Sequence, residues 1–143
     1  MNNRLVCLEG TLDFSEEIRV QNINIVSFSQ GQHISITRDH LPSGQSLTEK
    51  ISQQMDNAQN IFNHFNLVKM DELNEDNSMA ETIQIIFNFS SGSGQRLWQV
   101  SFASRIAEQE IINFTSVYPD EGSMQKEMGR LKHCIKHFAV HTC

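Results

Sequence analysis

The chain has 143 residues, a net charge of −6 and a pI near 5.4, which predicts one domain, residues 1–143, with a single core. This acidic balance argues against a nucleic-acid or anionic-membrane partner, since both favour a basic surface. The N-terminus has no apolar signal region and no apolar run reaches the roughly 20 residues of a membrane span, so we expect a cytoplasmic protein.

Alternating apolar and polar residues predict three strands in the first third of the chain, at 4–9, 18–28 and 33–38. The segment 11–17 between the first two is polar and turn-prone. Residues 29–32 indicate a hairpin turn in which Gly31 can take a positive φ.

The clearest amphipathic helix is predicted over residues 46–65. Apolar residues at steps of three and four would line one face of it: Leu47, Ile51, Met55, Ala58, Ile61, Phe62 and Phe65. Ser46 and Glu49 have the spacing of a capping box at its start. Gln54 interrupts the apolar face, and a buried amide without partners costs roughly 1 to 3 kcal/mol. The inner face of this helix therefore carries a polar residue that needs a partner.

The second half of the chain has strand character in four segments, at 67–73, 81–89, 95–104 and 110–118. A second amphipathic helix at 123–139 follows Pro119, with an apolar stripe of Met124, Met128, Leu131, Ile135 and Phe138. Helices set apart from a run of hairpin-connected strands predict an α+β fold, an antiparallel β-sheet covered by two main α-helices.

The residues give little support to an enzyme or a metal site. His133, His137 and His141 are spaced four apart on the last helix, as zinc ligands can be, but no separate cluster supplies a distant third ligand. Ser93 lies between two glycines, yet a strand follows it where a nucleophile elbow needs a helix. We expect no catalytic residue, no metal and no cofactor, and an exposed polar face at the histidines.

The three cysteines are odd in number and far apart in the sequence, at Cys7, Cys134 and Cys143. None has the CxxC spacing of a redox or zinc motif. Reduced thiols are expected, with Cys7 packed as a small apolar group in its strand.

A binding surface is suggested by polar residues set among apolar ones on elements that should face each other. These residues are Gln54 on the helix, Ser35 and Thr37 on one strand, and Gln99 between Leu97 and Ser101 on another. The alternative is that they are ordinary core polar groups with satisfied hydrogen bonds.

Several of these segments together resemble a known family. They are residues 8–12, 22–25 and 34–41, then Gly44, Leu47, Gln53 and Gln54, and later Gln99 and residues 114–119 before a closing helix. From about Leu5 to Phe138 the chain is similar to the DcrB-like family, which contains the EagR chaperones of type VI secretion systems.

That resemblance implies a PsbP-like α+β fold, a homodimer and no enzymatic activity. Family members of this type are cytoplasmic chaperones that shelter N-terminal transmembrane segments of PAAR- or Rhs-type effectors before secretion. The client helices lie in a groove between the sheet and the main helix. Carried over to this sequence, the apolar wall would be Ile23, Ile25, Ala58, Phe62 and Leu97, and the polar contacts Ser35, Gln54 and Gln99, beside Thr37.

Two departures from the family pattern bear on the width of that groove. Phe62 stands where a smaller aliphatic residue is more usual, and His33 extends the polar side of its strand. Two other functions stay open from the residues alone. One is a general protein- or peptide-binding module of PsbP-like fold without membrane clients, and the other is a small hydrolase or metal enzyme using the late histidines.

Overall fold

The structure is a computed structural model that describes residues 3–7, 9–18, 23–73 and 81–138. In chain order its elements are β1 (Arg4–Cys7), β2 (Gly10–Asp13), β3 (Asn24–Val26), β4 (Ile34–His40), α1 (Leu47–Ile61), β5 (Asn63–Glu72), β6 (Glu81–Ser90), β7 (Arg96–Ala107), β8 (Glu110–Tyr118) and α2 (Glu121–Lys136). Among these described segments, neither helix has the combination of length and hydropathy that crossing a bilayer requires.

Six strands form one antiparallel sheet in the order β3-β4-β8-β7-β6-β5, and β1 and β2 form a separate hairpin. The sheet has a helix on each face. Leu47 and Ile51 of α1 pack with one set of strand residues, and Leu131 and Ile135 of α2 pack with the set on the other face. The predicted α+β architecture is confirmed.

The helix α1 starts as predicted but ends four residues early. Its N-cap Ser46 accepts a hydrogen bond from the backbone N–H of Glu49 at 3.1 Å. At the other end Phe62 is extended and His64 has φ +51, a left-handed conformation that cannot continue a right-handed helix. The prediction that Phe65 belongs to the helix is wrong, because it lies on β5. Both Phe62 and Phe65 still pack on Phe87, so Phe65 has the apolar surroundings that the helical pattern predicted for it.

The prediction of a turn over 11–17 is also wrong in part. Gly10, the residue after the first predicted strand, starts β2, which pairs with β1 through Leu5 opposite Leu12. An ion pair of 2.8 Å joins Arg4 to Asp13 across this hairpin. Of the second predicted strand, only β3 is formed among the described residues, and positions 19–22 lie outside them.

The turn between β3 and β4 is attached to α2. Gly31 has φ +90, as its place in a predicted hairpin turn required. The backbone N–H of Gln32 donates to Glu127 Oε1 at 2.8 Å, and Arg130 donates to the backbone oxygen of Gln30 at 2.9 Å. The Arg130 guanidinium also lies 4.1 Å from the centre of the Phe28 ring. Helix α2 therefore fixes the position of the sheet edge that begins at β3.

The second half contains the predicted elements, but β5 starts four residues earlier than predicted and β7 ends three residues later. Strands β5 to β8 form a meander, and the tip between β6 and β7 includes Gly94 with φ +85. Helix α2 begins two residues earlier than predicted, where Asp120 caps it by accepting from the N–H of Ser123 at 2.7 Å. Its predicted apolar stripe packs on the sheet, with Met124, Leu131 and Ile135 buried and Met128 and Phe138 partly buried.

A buried hydroxyl pair lies on the α2 face of the sheet, where Thr82 and Ser104 oppose each other with 3.0 Å between their hydroxyl oxygens. We expect Ser104→Ala to lower the free energy of unfolding by about 1 to 3 kcal/mol, because it leaves the Thr82 hydroxyl without a partner. The double variant Thr82→Val, Ser104→Ala should recover most of that loss, as measured by urea unfolding. A double variant as unstable as the sum of the single variants would contradict this account.

Candidate functional site

A cleft of about 350 Å³ lies between α1 and the sheet. Its floor is formed by four adjacent strands, and one long side is formed by the helix. The lining residues are Thr37 of β4, Asn113 and Thr115 of β8, Gln99 and Ser101 of β7, Ile85 and Phe87 of β6, and Gln54, Met55, Asn57, Ala58, Ile61 and Phe62 of α1 and its C-cap.

Strand register explains why the floor residues share one face of the sheet. Ser101 lies opposite both Thr115 and Ile85, so these three side chains form a row across β8, β7 and β6. The hydroxyl oxygens of Ser101 and Thr115 are 3.0 Å apart, and Gln99 Nε2 donates to Ser101 Oγ at 3.4 Å. The polar floor on β7 and β8 is thus hydrogen-bonded within itself.

The apolar part of the cleft is aromatic. Phe62 lies 4.5 Å from Phe89 and 5.7 Å from Phe87, measured between ring centres, and Phe65 lies 5.0 Å from Phe87. These rings close the β6 and β5 end of the cleft. Ile61, at the last turn of α1, also lines the cleft and is 75% exposed.

The polar residue on the inner face of α1 has a partner. Gln54 Nε2 donates to Asp39 Oδ2 at 3.0 Å, and the ammonium of Lys50 lies 3.7 Å from the same oxygen. The other carboxylate oxygen of Asp39 accepts from the backbone N–H of His40 at 2.7 Å. Helix α1 and strand β4 are thereby joined at the rim of the cleft.

The structure brings together five of the nine predicted groove residues as cleft lining: Thr37, Gln54, Ala58, Phe62 and Gln99. The other four do not line it. Ser35 lies opposite Thr115 and Ile25 opposite Ser35, so both share the face of the sheet that carries the cleft. Ile23 precedes β3, and Leu97 opposes Phe89 near the β6–β7 turn.

Sequence reasoning missed part of the lining. Met55 and Ile61 lie on the predicted apolar face of α1, and nothing in the pattern distinguishes them from core residues. Asn113 and Thr115 alternate with Ile112 and Phe114 along β8, and that alternation could have identified a polar face opposite Ser35 and Thr37.

His133, Cys134 and His137 lie on α2 or at its C-cap, across the sheet from the cleft. The His133 and His137 rings are 4.3 Å apart on the exposed side of α2, and His141 lies outside the described residues. Within the described ranges, no group of three His, Cys, Asp or Glu side chains is gathered as metal ligands would be. Cys134 is a free, half-buried thiol, and burial raises its pKa. Cys143 also falls outside the described residues.

Two solved structures share this arrangement of helices and strands. A Pseudomonas aeruginosa protein of unknown function, PA94, which has been suggested to be a regulator, matches 98% of this chain and 97% of its own, with a TM-score of 0.66 and 14% identity. PsbP of the cyanobacterium Synechocystis sp. PCC 6803, CyanoP, matches 96% of this chain and 91% of its own, with a TM-score of 0.57 and 10% identity. At such low identities the likeness shows the fold alone, which is PsbP-like.

Comparison of sequences gives the family. No curated protein sequence is significantly similar to the chain. The family described as DcrB matches residues 9–137, which include both helices and all but the first strand. The chain therefore belongs to the DcrB family.

Proposed function

We propose that this DcrB-family protein is a cytoplasmic chaperone that binds transmembrane helices of a type VI secretion effector, of the PAAR or Rhs type, before secretion. It acts by binding alone, without catalysis or a cofactor. The observation that carries the proposal is the cleft between α1 and the sheet, which combines an aromatic end, an open apolar rim and a hydrogen-bonded polar floor.

The apolar rim supplies the driving force for such binding. Ile25 of β3 is 63% exposed on the sheet face that carries the cleft, and Ile61 of α1 is 75% exposed in the cleft lining. Ile23, just before β3, is 56% exposed. Val117 is also exposed and lies opposite Gln99 on that face. Burying ~1,000 Å² of apolar surface contributes on the order of 25 kcal/mol gross. Association costs roughly 4 to 15 kcal/mol, so a favourable balance remains.

The polar floor suits a membrane helix better than a solid apolar surface would. Small side chains such as Ala58, Ser35 and Ser101 let a helix backbone approach closely, as small residues do between membrane helices. The hydroxyls of Ser101 and Thr115 already bond each other, so covering them costs less than covering two unpaired hydroxyls. The cleft thus offers a client helix surroundings similar to those in a membrane bundle.

We further propose that the working form is a homodimer. A membrane-spanning helix is about 30 Å long, and a cleft of about 350 Å³ can hold only part of it. A second copy would cover the surface of the client that the first leaves exposed to water.

Co-expression with a client of defined chemistry tests the proposal. A tagged hairpin of two apolar spans, each of roughly 20 residues, should remain in the soluble fraction and co-purify with the chain. A matched hairpin with two lysines in each span should not bind. Recovery of both hairpins, or of neither, would contradict the proposal, and recovery of only the polar hairpin would favour a general peptide-binding module.

A further inference from the structure

The contact between Asp39 and Gln54 fixes which end of the Gln54 amide is available to a ligand. A carboxylate can only accept hydrogen bonds, so the NH₂ end of the amide must face Asp39. The carbonyl oxygen of Gln54 is then the end directed away from Asp39. Within the described ranges of the chain it accepts no hydrogen bond, and Gln54 lines the cleft.

The second glutamine of the cleft contacts a hydroxyl instead of a carboxylate. Gln99 donates through Nε2 to Ser101 Oγ, whose hydroxyl also contacts the Thr115 hydroxyl. Because a hydroxyl can donate or accept, this contact does not fix the orientation of the Gln99 amide. Gln54 is therefore the glutamine whose carbonyl oxygen is held available to a bound segment.

Lys50 offsets the charge of Asp39 at the rim of the cleft. Its ammonium lies 3.7 Å from the Asp39 oxygen that Gln54 also contacts, so the negative charge of Asp39 is offset on the side of α1. A client helix that covers the rim then meets a neutral pair rather than an isolated carboxylate, whose burial would be costly.

From this arrangement we propose that Asp39 is a positioning residue that makes the cleft select client helices carrying a hydrogen-bond donor. The donor would be a Ser or Thr hydroxyl or a side-chain N–H on the face that packs against α1. This inference rests on the proposed function and adds the chemistry of the preferred client.

A peptide series measures that selectivity. Lys-flanked Leu/Ala helices of roughly 20 residues carry one Ser at each central position in turn, and the reference peptide carries Ala throughout. Fluorescence anisotropy gives the Kd of each peptide for the native chain. We expect at least one Ser peptide to bind about threefold to tenfold more tightly than the Ala peptide, the worth of one hydrogen bond.

The variant Asp39→Asn tests the positioning role. An asparagine amide both donates and accepts, so it no longer forces the orientation of Gln54. In this variant the Ser and Ala peptides should bind with about equal Kd, while the Kd of the Ala peptide should stay within about twofold of its value for the native chain. General unfolding would instead weaken the binding of both peptides. Asp71→Asn is the matched control, because Asp71 lies on β5 in an exposed pair with Lys69 and should keep the preference.

The outcomes separate the two proposals. Equal binding of all peptides to the native chain, or a preference that survives Asp39→Asn, overturns the positioning role and leaves the chaperone proposal intact. Failure of every peptide to bind overturns both.

Discussion

Ile61→Glu is expected to weaken binding of a transmembrane client by roughly thirtyfold, or about 2 kcal/mol. Ile61 is exposed at the end of α1 and borders the cleft, so a bound apolar helix would cover the new carboxylate. The free energy of unfolding should change by less than about 0.5 kcal/mol, because the native side chain is mostly in water. Titration of a labelled client gives the Kd, and urea unfolding gives the stability.

The matched control for this variant is Val68→Glu. Val68 is 48% exposed on β5 and does not line the cleft, so the same change of charge should leave the Kd unaltered. Equal losses of affinity in the two variants would show that net charge, rather than the cleft, governs binding.

Phe102→Ala is expected to lower the free energy of unfolding by about 3 to 5 kcal/mol, since it removes a large side chain from a packed core. Phe102 has no exposed surface and lies in the cluster between the sheet and α2. Domains of this size are stable by about 5 to 15 kcal/mol, so the variant should approach the limit of folding at room temperature. Urea unfolding at low temperature measures the change.

Phe62→Ala is the comparison, because Phe62 is half-buried and belongs to the aromatic end of the cleft. It should cost less stability than Phe102→Ala but should weaken client binding, whereas Phe102→Ala should not while the chain remains folded. A loss of under about 1 kcal/mol for Phe102→Ala would contradict its central place in the core.

Periodicity in the sequence was sufficient for most of the fold. Regular alternation located β6 and β8 to within a residue, and apolar spacing located α2 to within a few residues. Periodicity failed where single residues or short segments set the backbone conformation. Helix α1 ends where Phe62 becomes extended and His64 becomes left-handed, with no glycine to signal the change. The polar sequence of β2 likewise gives no sign of a short strand in a solvent-exposed hairpin.

The site was harder to predict than the fold because it depends on pairing between distant segments. The sequence placed Gln54 on an inner face and so predicted a need for a partner. It could not identify Asp39, which follows the predicted strand at 33–38 but belongs to β4 in the structure. The contributions of Asn113 and Thr115 likewise depend on β8 lying between β4 and β7, an order that no local pattern reveals.

The attachment of the β3–β4 turn to α2 links the two sides of the molecule mechanically. Glu127 and Arg130 hold that turn from behind the sheet, while Ile25 of β3 faces forward. A shift of the β3 edge would therefore break or carry with it the two contacts to α2, so the position of the exposed edge depends on the helix packed against the opposite face.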